Sequence, residues 1–495
     1  MKQLTKDIFR PEIHFTPPFG WMNDPNGLVY INEEYHLFYQ YYPYGNKWGP
    51  MHWGHAVSSD LLHWEHLPPA LVPDETGMCF SGSAVIDWQN TSSLFDNNTQ
   101  PGIIAFYTAC IAPTDGTDGT QMQNLAYSED GGFSWKKYQK NPILPNFGLK
   151  DFRDPKVIWH EPTQYWVMVV TEGQEIGFYR SRDLKKWSKT SSFGKYDGAH
   201  DSLPWECPDL FPINIEGDNH LYWILIVGVQ GGSFAGGSGT QYFIGQFDGE
   251  YFINHHNPDT VLWLDYGRDY YAAQTWSDVT DGSRIAIAWM SNWQYANEVP
   301  TLSWRSAMSS PRRLKLTHTS SGLRLTHTLP KEWTIKNTPH SAQGINLVQK
   351  QNVLITPSYT AGILSTALYM EIGTIIQCKP FGNDSLFYTI NRTPDGYQII
   401  TTRSIAEMGE QKYSDTFEHE IALVLPQAEF LTLTAVIDRC SSELLLQDGE
   451  FCLTDLSFDQ MVNGFEMICL KGQVTINELS FCSANNISNI ITKAA

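Results

Sequence analysis

Three acidic residues of this chain lie in turns that contain proline and are rich in aromatic residues. Asp24 lies in the stretch WMNDPNG that begins at Trp21, Asp154 stands between Arg153 and a proline, and Glu206 lies in WECPD. Paired carboxyl groups, one ionised and one protonated, carry out glycoside hydrolysis. Each motif alone is also common in structural turns or ion pairs. Their combination favours a carboxylate active site.

Composition restricts the class of ligand. The 495 residues are 13% aromatic, with 17 Trp, and only 17% charged. Aromatic side chains suit both sugar faces and large cores, and the low charge argues against disorder. The formal net charge of −20 argues against nucleic acid or an anionic membrane as a partner, because both repel an acidic surface. We expect a soluble protein with a neutral or cationic ligand.

We expect no targeting or membrane segment in this chain. Its first eleven residues, MKQLTKDIFRP, hold no apolar core of seven or more residues, so we expect no signal peptide. No apolar run approaches the roughly 20 residues that span a bilayer. These features predict a cytoplasmic protein with no membrane partner. The eight Cys form no C-x-x-C pair, so free thiols are expected and no zinc site is predicted.

A repeated motif indicates which elements position the acids. The pattern Ser-x-Asp followed by Trp occurs at Ser58–Trp64, Ser128–Trp135 and Ser181–Trp187, and Phe247–Phe252 is a degenerate copy. Each copy follows a strand-like run, and helical periodicity is nearly absent. The Asp residues are separated by 70, 53 and 65 residues, which is the period of a four-stranded blade with its loops. The repeat predicts a β-propeller in which the Asp caps a turn and the Trp packs between blades.

The last third of the chain has a different organisation. The propeller is predicted to occupy residues 1–335, and its closing strands lie near 311–331. A polar stretch predicts a linker over 336–343. Residues 344–495 alternate again in short strands, which is typical of a separate β-sandwich.

Several motifs together resemble those of glycoside hydrolase family 32, which contains invertases, inulinases and levanases. They begin with HFTP at His14 and include the stretches around the three acids. The others are WGPMHWGH at Trp48, FSGSA at Phe80, DYGRDYYAA at Asp265 and NWQYAN at Asn292. The last two look most like the bacterial levanase and exo-fructosidase branch. The resemblance implies an all-β fold, with a five-bladed β-propeller followed by a β-sandwich.

The resemblance also implies a role for each acid. Asp24 matches the family's nucleophile, Glu206 matches the general acid/base, and Asp154 matches the acid that stabilises the transition state. Seven further positions resemble the family's fructose-binding residues: Asn23, Gln40, Trp48, Phe80, Ser81, Arg153 and Trp293. The resemblance implies that the two Trp enclose the sugar ring and that the polar side chains bind its hydroxyls. Cys207 is interpreted as a packing residue beside the acid, and no cofactor or metal is implied.

The C-terminal part matches the family less closely. The stretch VIDRCSSE that begins at Val436 resembles the family's sandwich signature, but Leu444–Leu446 departs from its usual aromatic ending. We therefore expect a structural or dimer-forming role for this domain, with a homodimer through the sandwich.

Two classes of function remain open. The first is a retaining, exo-acting β-fructosidase that removes terminal fructose from sucrose, fructo-oligosaccharides, inulin or levan. A transfructosylase that uses the same acids is a variant of it. The second is a non-catalytic sugar-binding propeller, which the presence of all three acids disfavours. An exo enzyme predicts a closed-ended funnel with the acids at its floor.

Overall fold

A computed structural model describes most of the chain, and the regular structure in its described residues is almost entirely β-strand. The described ranges are 7–96, 101–111, 119–215, 217–218, 220–337, 339–355, 361–404, 414–459, 464–484 and 490–494. One turn of 3-10 helix, Asp415–Phe417, is the only helical element in these ranges. No helix in the described part of the chain is long and apolar enough to cross a membrane. The predicted all-β class is confirmed.

Five sheets follow one another in the first two-thirds of the chain. The first contains β1 (Gly20–Ile31), β2 (Glu34–Tyr42), β3 (His52–Ser58) and β4 (Glu65–Leu71). The second contains β5 (Met78–Asp87), β6 (Gly102–Ile111), β7 (Thr120–Ser128) and β8 (Lys136–Lys137). The third contains β9 (Phe152–His160), β10 (Tyr165–Glu172), β11 (Ile176–Ser181) and β12 (Ser188–Phe193).

The fourth sheet contains β13 (Trp205–Asn214), β14 (Leu221–Val229), β15 (Gly239–Phe247), β16 (Phe252–Asn254) and β17 (Leu262–Trp263). The fifth contains β18 (Tyr271–Thr275), β19 (Arg284–Met290), β21 (Ala307–Met308), β22 (Arg312–Thr319) and β23 (Gly322–Thr328). The intervening strand β20 (Trp304–Arg305) pairs in parallel with β1, so the end of this region is tied to its beginning.

The five sheets form a closed ring. The first strand of each sheet lies against the first strand of the next, and β18 lies against β1. A separate hydrophobic core fills each gap between neighbouring sheets, including the gap between the fifth and the first. Strands between two cores are buried on both faces, which explains continuous apolar runs such as YWVMVV in β10. The ring brings one end of each innermost strand to a common axis.

The repeated Ser-x-Asp motif has the structural role predicted for it. In its first copy, Asp60 accepts hydrogen bonds from Ser58 Oγ and from the backbone N–H groups of Leu62 and His63. Asp130, Asp183 and Asp248 make equivalent turns. The Trp of each complete copy contacts an aromatic ring of the neighbouring sheet, as Trp135 does with Phe38 at 5.5 Å between ring centroids. The motif therefore joins adjacent sheets.

The remainder of the chain forms two sheets that pack face to face. One contains β24 (His340–Val348), β26 (Gly362–Met370), β31 (Leu431–Asp438), β32 (Ser441–Leu446), β33 (Phe451–Leu456) and β35 (Gln473–Ser483). The other contains β25 (Gln351–Ile355), β27 (Ile375–Lys379), β28 (Leu386–Thr393), β29 (Gly396–Arg403), β30 (His419–Pro426), β34 (Phe465–Lys471) and β36 (Ile490–Ala494). Alternating burial in β26 and β28 places one face on the shared core, as expected for a sandwich. Strand β24 begins at His340 and so includes the last four residues of the predicted linker, 336–343.

Buried ion pairs join the sandwich to the ring. His14 Nδ1 lies 2.8 Å from Asp438 Oδ2, and His14 Nε2 lies 2.7 Å from Glu443 Oε1. Arg312 bridges Asp265 at 2.7 Å and Glu443 at 2.6 Å. Asp438 and Glu443 both belong to the VIDRCSSE stretch, so this stretch docks the sandwich onto the ring.

Candidate active site

Each innermost strand of the ring carries a β-bulge near its first residues. In all five sheets, an advance of three residues along the innermost strand matches an advance of two residues along the neighbouring strand. The bulges fall between Met22 and Pro25, Cys79 and Gly82, Arg153 and Lys156, Glu206 and Asp209, and Tyr271 and Gln274. A bulge changes the direction of the side chains beside it and is common next to active sites. Here it turns equivalent residues of all five sheets toward the axis.

Three of the bulged residues have a strained backbone. Asp154, Cys207 and Ala272 occupy equivalent positions in the third, fourth and fifth sheets, and their φ angles are 65°, 49° and 54°. Non-glycine residues rarely adopt this left-handed conformation, which costs of order 1–3 kcal/mol and concentrates at functional sites. The repeated conformation lies at the same end of the innermost strand in all three sheets.

A cavity of about 820 Å³ opens at this end of the ring. The acids lie at its floor, where Asp24 is 9% exposed and Asp154 is 5% exposed, whereas Trp48 is 41% exposed at the rim. All ten residues predicted from the sequence line the cavity: Asn23, Asp24, Gln40, Trp48, Phe80, Ser81, Arg153, Asp154, Glu206 and Trp293. The structure therefore brings together every predicted site residue.

Asp24 has one paired and one unpaired oxygen. Its Oδ2 accepts a 2.6 Å hydrogen bond from Ser81 Oγ, and the Cys207 thiol lies 3.4 Å from the same oxygen. Its Oδ1 is buried and has no hydrogen-bond partner among the residues that the structure describes. Burial and, second, the charge of Glu206 raise the pKa of Asp24 to about 6, although hydrogen bonds from Ser81, Asn23 and Cys207 oppose the rise. The carboxyl is therefore mostly ionised at neutral pH, with a free oxygen.

Asp154 is held from two sides. Its Oδ2 accepts a hydrogen bond of 3.0 Å from the Cys207 N–H, and its own N–H donates to Thr108 Oγ1 at 2.9 Å. Burial and the charge of Glu206 raise the pKa of Asp154 to about 7, and the charge of Arg153 opposes them. Burial also raises the pKa of the Cys207 thiol well above its ordinary value. Cys207 is therefore a neutral donor between two acids.

Both oxygens of Glu206 accept hydrogen bonds. Arg153 Nε donates to Oε1 at 2.9 Å, and the Tyr271 hydroxyl donates to Oε2 at 2.6 Å. Burial lowers the pKa of Arg153, but the charges of Glu206 and Asp154 outweigh burial and raise it. Burial and the charge of Glu206 raise the pKa of Tyr271 well above its ordinary value, so its hydroxyl keeps its proton. Arg153, Glu206 and Tyr271 form a row of equivalent residues from three neighbouring sheets.

Sequence reasoning missed Tyr271 as a site residue. The signal lies in the register, because the stretches Arg153–Lys156, Glu206–Asp209 and Tyr271–Gln274 occupy the same bulge in successive sheets. The first two stretches were recognised by their acids and prolines. The third contains neither, so its equivalence to them is visible only once the strands are aligned.

Two side chains predicted to bind sugar hydroxyls already have protein partners. Gln40 Nε2 donates to the carbonyl oxygen of Cys79 at 2.9 Å, and Ser81 donates to Asp24. The predicted walls are present on two sides of the cavity. Trp48 lies edge-to-face with Phe80 at 5.9 Å, and Trp293 stacks on Trp21 at 6.0 Å.

A buried ion pair closes the axis beneath the acids. Lys156 Nζ lies 3.1 Å from Asp209 Oδ1 and donates to the carbonyl oxygen of Thr275 at 3.0 Å. Asp209 Oδ2 accepts from both the N–H and the hydroxyl of Thr275. Lys156 and Asp209 stand at equivalent positions beyond Asp154 and Cys207 on their strands, so they fill the axis below the cavity. The buried pair therefore lies beyond the acids along the innermost strands.

Comparisons with known proteins agree with these observations. Models of the glycosyl hydrolases family 32 N-terminal domain and of the family 32 C-terminal region match residues 14–327 and 372–483. Levanase of Bacillus subtilis is 44% identical over 95% of this chain, which spans 70% of that protein and 52% of a second Bacillus levanase. The extracellular exo-inulinase of Aspergillus niger is 40% identical over 90% of this chain and 89% of its own length. The crystal structure of exo-inulinase from Aspergillus awamori is similar with a TM-score of 0.84 and 31% identity, over 96% of this chain and 99% of that one.

Proposed function

The chain belongs to glycoside hydrolase family 32, and from this membership and the site geometry we propose that it is a retaining, exo-acting β-fructosidase. The observation that carries the proposal is the convergence of Asp24, Asp154 and Glu206 at the floor of one cavity. Relatives named levanase, invertase and exo-inulinase support fructosides as the substrate class.

Asp24 is proposed as the nucleophile. Its unpaired Oδ1 attacks C2 of the terminal fructofuranosyl ring, and the C2–O bond to the leaving group breaks as the ester to Asp24 forms. Ser81 and Cys207 hold Oδ2, so the attacking oxygen is oriented before substrate binds. A pKa of about 6 leaves the carboxyl ionised at neutral pH. Because the charge is poorly solvated, it is also reactive.

Glu206 is proposed as the general acid and then the general base. It donates its proton to the leaving oxygen in the first step. In the second step it takes a proton from the water that attacks C2 and releases Asp24. Arg153 and Tyr271 donate hydrogen bonds to the carboxylate that remains after proton donation. They therefore stabilise the charge that develops on Glu206.

Asp154 is proposed to stabilise the ring as it flattens toward an oxocarbenium ion. Its carboxylate would accept hydrogen bonds from fructosyl hydroxyls that strengthen as positive charge develops at C2. Asn23, Gln40 and Arg153 are proposed to bind hydroxyls, and Trp48, Phe80 and Trp293 to enclose the ring.

We propose exo attack from the shape of the cavity. We propose that the buried Lys156–Asp209 pair closes the axis below the acids, and aromatic side chains line the cavity above them. A cavity with one opening admits a chain end rather than an internal segment. We propose sucrose, fructo-oligosaccharides, inulin and levan as substrates, and one blade for each of the five sheets. A homodimer formed through the sandwich stays a prediction, which sedimentation analysis of the purified protein would test.

The test is fructose release from sucrose, kestose, inulin and levan in parallel, with product lengths followed from the first minute. We expect free fructose without intermediate-length oligomers, and NMR of the nascent product should show the retained β-anomer. Early accumulation of oligomers would refute exo attack, and an inverted product would refute the role of Asp24. Products longer than the substrate would favour the transfructosylase alternative.

A further inference from the structure

A second cavity, of about 390 Å³, lies at the opposite end of the innermost strands. It is lined by Ile86 in β5, Ile158 in β9 and Phe211 in β13, each four to five residues beyond the active-site residue of its strand. At the rise of an extended strand this separation is about 13–17 Å. The buried Lys156–Asp209 pair lies between the two cavities. The second cavity is therefore separate from the acid cluster.

Aromatic side chains form much of its wall. Trp88, Trp159, Trp166 and Phe211 all line it. Trp88 is 64% exposed, although its indole Nε1 is fixed by a 3.0 Å hydrogen bond to Asp278 Oδ1. Trp166 is held similarly, since its Nε1 donates to Thr91 Oγ1 at 2.8 Å. Indoles whose N–H groups are anchored this way present fixed apolar faces at low conformational-entropy cost.

Polar groups of both charges stand among these rings. Arg284 donates Nε to the carbonyl oxygen of Pro212 at 3.2 Å, but no carboxylate lies within ion-pair distance of its guanidinium in the described part of the chain. Asp278 lies in the left-handed region at φ 61°, and its Oδ1 accepts the hydrogen bond from Trp88. Glu161 and Gln89 complete the polar lining.

We propose that this cavity is a second, non-catalytic carbohydrate site that takes one or two rings of a neutral saccharide. The apolar face of a sugar ring matches the exposed indole of Trp88. Its hydroxyls are both donors and acceptors, so they match the free N–H groups of Arg284 and the oxygens of Asp278 and Gln89. The volume lies in the range of small-molecule sites. Two carboxylates in the wall, Asp278 and Glu161, disfavour an anion despite the unpaired Arg284.

Inulin and levan are chosen as probes because of the proposed function. The proposal of a second site rests only on the cavity and its lining residues. Binding is measured by affinity electrophoresis in gels that contain inulin, levan or soluble starch. The full chain carries Asp24→Asn, so that the polymer is not degraded. We expect Trp88→Ala in this background to weaken retardation by at least one polymer about fivefold or more. Trp88→Ala alone should leave kcat/KM on sucrose within twofold of wild type, because the site is remote from the acids.

Two further variants make the test specific. Tyr251→Ala removes another exposed aromatic side chain, 54% exposed and outside both cavities, and should not change retardation. Asp278→Asn keeps a residue that tolerates the left-handed backbone and should weaken binding in the same direction as Trp88→Ala. Unchanged retardation in Trp88→Ala, or an equal loss in Tyr251→Ala, would overturn the proposal. So would quenching of tryptophan fluorescence by inorganic phosphate that is lost in Trp88→Ala, with no effect of any saccharide. Retardation that depends on Trp88 in a protein that releases no fructose would uphold this site while the proposed function fails.

Discussion

The hydroxyl of Tyr271 donates a 2.6 Å hydrogen bond to Oε2 of Glu206, and the two residues occupy the same bulge position in neighbouring sheets. Arg153 holds the equivalent position on the other side and donates to Oε1. The carboxyl group of Glu206 is thus held by residues at equivalent positions of the two neighbouring sheets rather than by a local turn. Both neighbours stabilise the negative charge that Glu206 carries after proton donation.

Tyr271→Phe removes one of these donors and keeps the buried ring. A hydrogen bond to a charged group contributes about 1.5–3 kcal/mol, so we expect kcat on sucrose to fall roughly 10- to 100-fold. KM should change little, because the bond strengthens only as Glu206 becomes charged. Tyr270→Phe is the matched control, since the Tyr270 hydroxyl is buried without a hydrogen-bond partner in the described ranges. Similar losses of kcat in both variants would show that Tyr271 acts through packing alone.

Asp24→Asn tests the nucleophile. We expect the substitution to lower activity and, at neutral pH, to stabilise the fold. Removing a residue of this kind costs about 10⁴-fold or more in kcat. A folded variant with near-normal turnover would refute the role of Asp24.

The stability of the same variant follows from the pKa of Asp24, which burial raises to about 6. Because the folded-state pKa lies above that of the unfolded chain, ionisation of Asp24 destabilises the fold as the pH rises from about 4 to 6. The cost at neutral pH is roughly 3 kcal/mol. We expect Asp24→Asn to raise Tm at pH 7 and to lose this advantage below pH 4. Asp60→Asn is the control, and it should lower Tm at pH 7, because backbone and side-chain hydrogen bonds hold the pKa of Asp60 below its usual value.

Ser81→Ala tests how the ionised form of Asp24 is maintained. The 2.6 Å hydrogen bond from Ser81 favours the carboxylate, so its loss should raise the pKa of Asp24 further. We expect the step of the acid limb of kcat/KM that reports Asp24, near pH 6 in the wild type, to move to higher pH. Ser58→Ala removes a buried hydroxyl in a turn far from the acids and should leave the limb in place. A limb that does not move in Ser81→Ala would argue that another group controls it.

The sequence supports the fold and the three acids for a physical reason. The turns that hold the acids require particular residues, including proline, at the bulge. The Ser-x-Asp turn requires its Asp as a cap. Both requirements produce recognisable sequence motifs. The partners of Gln40 and Ser81 could not be read, because a hydroxyl or amide can bind either substrate or protein. Tyr271 was missed because its bulge uses Ala272 and Ala273, which carry no chemical signature. The docking role of Glu443 was also hidden, since its partner His14 lies more than 400 residues away.

Glu206→Gln tests the general acid. A fructoside with an activated leaving group needs little protonation, so the variant should retain much of its activity on such a substrate. Hydrolysis of sucrose should fall by roughly 10²-fold or more, in line with the usual contribution of general acid catalysis. The ratio of the two rates is the measurement. An equal loss on both substrates would mean that Glu206 serves another function.

The contact between ring and sandwich predicts a stability step at alkaline pH. Burial alone would lower the pKa of His14, but its bonds to Asp438 and Glu443 raise it to about 9. The unfolded chain has the ordinary value near 6.5. Protonated His14 therefore stabilises the fold fully below pH 6.5, and this contribution is lost as the pH rises through 9. Its size is roughly 3 kcal/mol.

His14→Gln should lower Tm at pH 7, because buried Asp438 loses its cation and buried Glu443 keeps only Arg312. The difference in Tm between wild type and variant should then shrink between pH 7 and pH 10, because the wild type loses its charged His14 over this interval. His63→Gln is the control: its pair with Asp60 is solvent-exposed, with His63 74% exposed, and contributes little. Thermal melts across this pH range give the measurement. A Tm difference that stays constant from pH 7 to pH 10 would show that His14 is not charged in the folded protein.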